Sequence, residues 1–391
     1  MSLDLDKSTW KRVSFGDVVD NVNETVRDAD AAGIDRIIAM EHMDPGELKI
    51  SRWGSPEDGT TFTRRVKPGQ TLFGKRRAYQ RKVAYAEFEA ICSGDIYTFE
   101  ADESQMLGEF LPFLVQSNEF FDHALDTSAG SLSPRTNWRD LANFEFDLPP
   151  LNEQKRLADL LWGVQRHLLA MNAERDAVQA TLGHFVRHRL SEMPATIRLG
   201  EVATTRSGPS FAASAVNDVP VEGSVPVLGI PNTKPDGTID LSGVGHVKGL
   251  ADSVGKIDGS SLVLIRTNGN RQRIGNVYLP PVAAHGHAVS AFQFLMRSLD
   301  PANREYLYWV LSEPTMQERM SEAASGSVGL GNLAVRWLNE QQIPWSTDAA
   351  LRRSIVNEMR ELSNVMTSID SERGTLAALR SAISTTVFGG N

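Results

Sequence analysis

The segment Lys75-Arg76-Arg77-Ala78-Tyr79-Gln80-Arg81-Lys82 gathers cations around one aromatic ring and one side-chain amide. Arginine's planar fork can take a guanine edge through two hydrogen bonds, and glutamine suits adenine. The remaining lysines and arginines can hold phosphates. Lys75, Arg76, Arg77, Tyr79, Gln80, Arg81 and Lys82 are therefore candidate DNA contacts. A second run, Arg266-Thr267-Asn268-Gly269-Asn270-Arg271-Gln272-Arg273, offers Arg266, Asn268, Asn270, Arg271 and Arg273 for the same purpose. Taken singly, either run reads first as a solvated charged hairpin. Their recurrence favours nucleic acid, since Arg266 follows Arg76 by 190 residues and both runs follow an apolar strand.

Patterns that could do covalent chemistry fare poorly. Gly249 to Lys256 imitates a phosphate-binding loop, but it has one residue too many between its glycines, and Ile257 stands where Ser or Thr would hold magnesium. Gly329-Leu330-Gly331-Asn332-Leu333-Ala334 has dinucleotide-like spacing without the preceding strand of a βαβ unit, so a turn is expected. Asp44, Glu47 and Lys49 form a nuclease-like triplet of a kind that arises by chance. No Asn-Pro-Pro-aromatic segment of an amino-methyltransferase occurs. His184 and His188 have zinc-pair spacing, but Phe185 stands where a metalloprotease needs Glu; they read as the basic end of a helix. His285 and His287 have no clustered carboxylates, and no metal site is expected.

These segments belong to a chain of 391 residues, enough for two or three domains. With 41% hydrophobic and 23% charged residues it has the composition of a globular protein. The start has no apolar stretch behind a basic end, so no secretory signal is expected. The single Cys92 excludes an internal disulfide framework and fits a reducing, cytoplasmic setting. Taken alone, the net charge of −9 argues against a nucleic-acid binder. However, Arg64 to Lys82 holds eight basic residues and no acidic one, a concentrated basic face on an acidic body.

The chain repeats itself. Val13-Ser14-Phe15-Gly16-Asp17-Val18 is echoed by Ile197-Arg198-Leu199-Gly200-Glu201-Val202, and Lys67 to Phe73 by Ile257 to Val263. Ala129-Gly130-Ser131, Trp138 and Phe146 to Pro149 return as Ser325-Gly326-Ser327, Trp337 and Gln342 to Pro344. The offsets rise from 184 through 190 to 196, so the copies stay in order. Each copy ends in a 40-residue tail with a heptad rhythm. In the first tail the apolar positions are Leu157, Leu161, Val164, Leu168, Met171, Val178, Leu182 and Phe185, interrupted by Arg175. In the second they are Leu351, Ile355, Leu362, Val365, Ile369, Leu376, Leu379 and Ile383, interrupted by Glu358 and Glu372. At about 1.5 Å per residue each helix is roughly 60 Å long. Such a stripe needs a partner, and antiparallel pairing would put a globular lobe at each end.

The expected fold class is α+β: tandem duplicated mixed α/β domains separated by two long antiparallel coiled-coil helices. The divisions fall at 1–150, 151–192, 193–346 and 347–391. Short strands are expected at Ile34 to Met40, Leu72-Phe73, Ile96 to Phe99, Val225 to Ile230, Ser261 to Ile265 and Ala291 to Met296. One helix per domain is expected before the Gly-Ser turn, Leu107 to Asp122 and Asn303 to Ala323. Arg175 is expected to pair across the helices with Glu358 or Glu372; outward snorkelling is the alternative.

Phe146-Asp147-Leu148-Pro149-Pro150-Leu151-Asn152-Glu153-Gln154-Lys155-Arg156-Leu157 resembles the helix start of type I restriction–modification specificity subunits. Gly130-Ser131 with Arg135 and Asn137 resembles that family's Gly-Ser turn, and Trp10 with Phe15 to Val18 its opening motif. The second copy departs: Ile343-Pro344-Trp345-Ser346-Thr347-Asp348 lacks the second proline and the Glu-Gln-Lys-Arg run, which leaves open whether its helix contacts its partner in the same way.

The resemblance implies a non-catalytic subunit with two target-recognition domains, each reading half of an interrupted double-stranded DNA site. The helices would act as a ruler and hold two methyltransferase subunits and, through them, restriction/translocase subunits. It implies no cofactor in this chain; S-adenosylmethionine would belong to the methyltransferase, ATP and magnesium to the restriction partner. Gln154, Lys155, Arg156 and the seam residues above would make the helix and partner contacts. The alternatives are the same scaffold in a methylation-only or other phage-defence complex, a coiled-coil adaptor that reads no DNA, and an enzyme with an unrecognised site.

Overall fold

The computed structural model describes residues 5–29, 31–130, 133–251, 253–326 and 330–389. Ser131, Ser327 and Gly329 of the sequence motifs lie outside them. The chain divides into two compact units, Met1–Asn172 with Ser371–Asn391, and Ala173–Asp370.

In the first unit the strands are β1 (Lys11–Ser14), β2 (Val19–Val22), β3 (Ile37–Ile38), β4 (Arg64–Val66) and β5 (Thr71–Gly74). They continue with β6 (Val83–Tyr85), β7 (Ala90–Cys92), β8 (Ile96–Ala101) and β9 (Glu145–Leu148). A four-stranded sheet runs β2-β8-β5-β6, a second runs β3-β7-β4, and β1 pairs with β9. Thr71, Leu72, Phe73 and Gly74 are all buried, which suits a central strand covered on both faces. Helices α1 (Leu111–Val115) and α2 (Asn118–Asp126) cover the sheet. The core is aromatic: Phe15, Phe73, Phe99 and Phe120 are fully buried, with Phe15 and Phe99 centroids 5.3 Å apart, edge to face.

Helix α3 (Leu151–Ser191) begins in this unit and continues into the second. There the strands are β10 (Ala195–Arg198), β11 (Ala203–Ser207), β12 (Val216–Asn217), β13 (Ser224–Leu228) and β14 (Gly245–Lys248). Next come β15 (Ser261–Ile265), β16 (Thr267–Asn268), β17 (Val277–Tyr278) and β18 (Ala288–Val289). The last are β19 (Gln293–Ser298), β20 (Gly331–Asn332) and β21 (Gln342–Trp345). The four-stranded sheet β11-β19-β15-β17 repeats β2-β8-β5-β6 strand for strand, and β10 with β21 repeats β1 with β9. The remaining sheets share only a parallel pair, β3 with β7 and β13 with β18; β4 joins β7 in the first, whereas β14 joins β13 in the second. The duplicated α+β plan is thus present in both units.

The single helix expected before each Gly turn is two helices. In the first unit Ser117 adopts an extended conformation, and its hydroxyl accepts from Phe120 N, starting α2 anew. In the second, α4 (Arg304–Ser312) and α5 (Pro314–Ala323) are parted by Pro314, which drives Glu313 into an extended conformation. Glu313 then caps α5 by accepting from Met316 N at 3.0 Å. The strand expected over Ile34 to Met40 shrinks to Ile37–Ile38, because a 3-10 turn begins at Met40.

The long tails are α3 and α6 (Ala349–Phe388). They run antiparallel within each unit. In the first unit Gln165 meets Arg380 and Asn172 meets Arg373, with Leu157, Leu161, Ile383 and Val387 buried together. In the second, Arg175 meets Asp370 and Arg189 meets Glu358, with Leu182, Val186, Ile355 and Met359 buried together. The apolar seam is uneven. Val164, Met171 and Ile369 are buried, whereas Leu168, Leu351, Leu362 and Leu376 are half-buried and Val365 is exposed. Val186, not Phe185, takes the inner position.

The ion pair expected of Arg175 forms with a different acid. Its Nε donates to Asp370 at 2.8 Å, while Glu358 accepts from Arg189 and Glu372 faces His167 at 3.5 Å. The antiparallel register sets Arg175 level with residue 370; Glu358 lies about 18 Å further along the helix axis.

Candidate nucleic-acid interface

In each unit the basic loop and the Gly turn form one structure. Leaving β5, Lys75 N donates to Asp95 O at 3.0 Å, Thr136 N donates to Lys75 O at 3.0 Å, and Arg77 N donates to Pro134 O at 2.8 Å. Arg135 and Ala129 exchange backbone bonds across the turn, whose Gly130 sits at φ +116°. Leaving β15, Arg266 N donates to Phe292 O at 2.9 Å, and Leu333 N donates to Arg266 O at 2.9 Å. Ser325 and Asn332 exchange bonds across the second turn, where Gly326 sits at φ +152°.

These bonds make Lys75, rather than Arg76, the counterpart of Arg266. The sheet registers agree, pairing Phe73 with Tyr97 and Leu264 with Phe294. The equivalence extends to side chains: Lys75 Nζ lies 4.7 Å from the Tyr97 ring centre, and the Arg266 guanidinium 5.8 Å from that of Phe294. Burial, with Arg64 and Arg135 nearby, pushes the Lys75 ammonium below its ordinary pKa. Arg76 corresponds to Thr267, Arg135 to Asn332 and Asp95 to Phe292.

The candidate cations divide by how they are engaged. Arg81 donates to Asn118 Oδ1 at 2.7 Å over the Phe121 ring, and Lys82 donates to Met40 O at 2.6 Å; both fasten the loop to the body. Arg77 donates to Ser133 Oγ at 3.3 Å; Gln80 is half-buried and Tyr79 is 56% exposed. Arg76 donates to Ser133 Oγ at 3.2 Å and lies 3.5 Å from Asp95, while its Nε is buried without a partner. In the second unit Arg273 donates to Thr233 O and Arg271 to Ala324 O, while Asn268 and Asn270 side chains accept from nearby backbone. Asp95 and Arg135 gave no local signal of a role together, since forty residues separate the two.

The two helix starts are tied down by different side chains of the chain itself. Gln154 is buried; its Nε2 donates to Pro149 O and Gln105 O at 2.8 and 2.9 Å, and its Oε1 accepts from Leu107 N. Lys155 pairs with Glu109 and Asp159, and Arg156 with Glu153. Four residues into α6 the equivalent tie is Arg352, buried, whose Nε donates to Asn303 Oδ1 at 2.9 Å and whose NH1 donates to Ser346 O. Its guanidinium stacks over Trp345 at 4.4 Å.

Residues 8–178 match the family model of the type I restriction modification DNA specificity domain. That match spans a little under half of the chain, the first copy and most of its long helix. The EcoDI specificity subunit of a type I restriction enzyme from Escherichia coli is 28% identical over 152 residues. That match covers 38% of this chain and 33% of the relative, about a third of its length. Two solved structures share the fold at a TM-score of 0.58. The S subunit of a type I restriction–modification system from M. genitalium is 14% identical over the whole of both chains. A chain from a structural study of type I R-M complex assembly is 16% identical over 97% of this chain and 98% of its own. Likeness in sequence is thus confined to the first copy and its helix, and likeness in fold extends over both copies. Among the described residues no helix is long and apolar enough to cross a membrane, and no cluster of three or more His, Cys, Asp or Glu is placed to hold a metal ion.

Proposed function

We propose that this chain is the DNA-sequence-recognition subunit of a type I restriction–modification complex, acting in the cytoplasm and contributing no catalysis of its own. Each globular part, 1–150 and 193–346, reads one half of an interrupted double-stranded site. The helices, 151–192 and 347–391, set the unread spacer and dock methyltransferase subunits, which in turn carry restriction subunits. S-adenosylmethionine is used by the methyltransferase, ATP and magnesium by the restriction partner.

The single observation that carries this reading is the recurrence, on two equivalent sheets, of a basic loop hydrogen-bonded to a Gly turn. Lys75, Arg76, Arg77 and Tyr79 lie on the first such surface, Arg266, Asn268, Asn270 and Arg271 on the second. Arg81, Lys82 and Arg273 support them through contacts to the body. Electrophoretic mobility shift of duplex DNA by the chain with its methyltransferase subunits tests the reading. Arg77→Glu and Arg271→Glu should each weaken binding roughly tenfold by removing a phosphate contact and adding repulsion. Binding indifferent to both changes would favour the adaptor reading.

A further inference from the structure

Asp95 is an anomaly on this surface. A carboxylate amid Lys75, Arg76, Arg77 and Arg135 weakens the field that attracts phosphate, and holding phosphates asks only for positive charge. Its geometry supplies a reason. Asp95 Oδ1 accepts from Arg135 Nε at 3.0 Å, and Oδ2 lies 3.5 Å from Arg76 NH1. The two arginines come from different segments, the basic loop and the Gly turn, and are bridge partners across the junction. Without a shared carboxylate, adjacent guanidinium groups would repel and splay.

Both terminal amino groups of Arg76 are engaged, NH1 by Asp95 and NH2 by Ser133. Arg135 differs. Only its Nε is bonded, its side chain is 53% exposed, and among the described residues no hydrogen bond occupies its two terminal amino groups. A guanidinium clamped through Nε with its outer edge open suits a two-bond contact to the O6 and N7 acceptors of guanine. The second unit lacks the device. Thr267 replaces Arg76, Asn332 replaces Arg135 and an exposed Phe292 replaces Asp95; Thr267 Oγ1 donates to Asn332 Oδ1 at 2.8 Å.

We infer that Arg135 reads a guanine in the half-site of the first unit, that Asp95 is the positioning residue aiming it, and that the second half-site has no guanine read in this way. The inference rests on the DNA-reading function proposed above and adds the base class and the reader.

The test is methylome sequencing of cells carrying the complete modification complex with Arg135→Lys, Asp95→Asn or Asn332→Ala in this chain. Lysine keeps the charge but not the two-pronged edge. Arg135→Lys and Asp95→Asn should each relax one guanine position of one half-site, by roughly tenfold to a hundredfold. The other bases of that half-site and the whole second half should persist. The salt dependence of binding by the purified complex should be unchanged in Arg135→Lys, because the cation remains. Asn332→Ala should alter only the opposite half-site. Unchanged motifs, uniform fading of the first half-site, or relaxation at a base other than guanine would overturn the inference while leaving the DNA-reading function intact. Absence of any interrupted motif with the unaltered chain would overturn both.

Discussion

The two units carry one scaffold in two chemistries. The first packs Phe15, Phe73, Phe99 and Phe120 where the second packs Leu199, Leu264, Met296 and Met316, yet the four-stranded sheets have the same order. The first ties its long helix down with a neutral amide, Gln154, and the second with a guanidinium, Arg352. The first surface clamps two arginines on a carboxylate, while the second sets a hydroxyl against an amide. The comparison teaches that ladder register and backbone bonds persist while nearly every side chain they position is replaced. Surface chemistry therefore differs between the copies while the sheet order is kept.

The Gly turns give the sharpest contrast. A Cβ at Gly326 would lie 2.2 Å from Leu330 O, whereas one at Gly130 meets no atom of the described residues nearer than 3.5 Å, although both backbones sit at positive φ. Gly326→Ala should cost about 3 kcal/mol or more, and Gly130→Ala about 1 kcal/mol, in urea unfolding. Equal costs would break the contrast. At the helix starts, Arg352→Ala should destabilise by about 3 kcal/mol, since charge-assisted bonds are lost and Ser346 O is left buried. Gln154→Ala should cost about 2 kcal/mol. Arg352→Lys should restore little, because an ammonium cannot make the same fork.

An alkaline titration separates the units through one thiol. Burial pushes Cys92 up from 9.0 to about 12, and β18 has Val289 at the corresponding place. The folded state keeps the proton that the unfolded chain releases. Stability is therefore fully present below pH 9 and falls by about 1.4 kcal/mol per pH unit between there and about 12. Cys92→Val should remove that slope from the first unit's unfolding, and Cys92 should resist alkylation in the folded protein at pH 8. The smallest effect belongs to the helix pair. Arg175→Ala removes one half-exposed ion pair and should cost under about 1 kcal/mol. Arg189→Ala should cost somewhat more, because Arg189 meets both Glu192 and Glu358.

The duplication, both long helices and both basic loops could be read from residue order, because each is a local signal: a repeated motif, a 3.5-residue period, a run of charge. Alignment of the copies missed by one residue. Spacing paired Arg76 with Arg266, whereas the register of β5 and β15 pairs Lys75 with Arg266. Arg175 illustrates the same limit, since its heptad position implied an acid opposite but not that the acid would be Asp370. Asp95, Arg135 and Arg352 acquire their importance only through neighbours distant along the chain.

Heptad periodicity and repeated turns therefore determined, from residue order alone, that two like lobes alternate with two long amphipathic helices. Tertiary structure decided which charges are available. It joins Arg81, Lys82 and Arg273 to oxygens of the protein itself and leaves Arg135 with an open edge. The physical reason is that helical and strand periods follow from neighbours a few residues apart, whereas the partner of a guanidinium is whatever acceptor the strand register brings within about 3 Å.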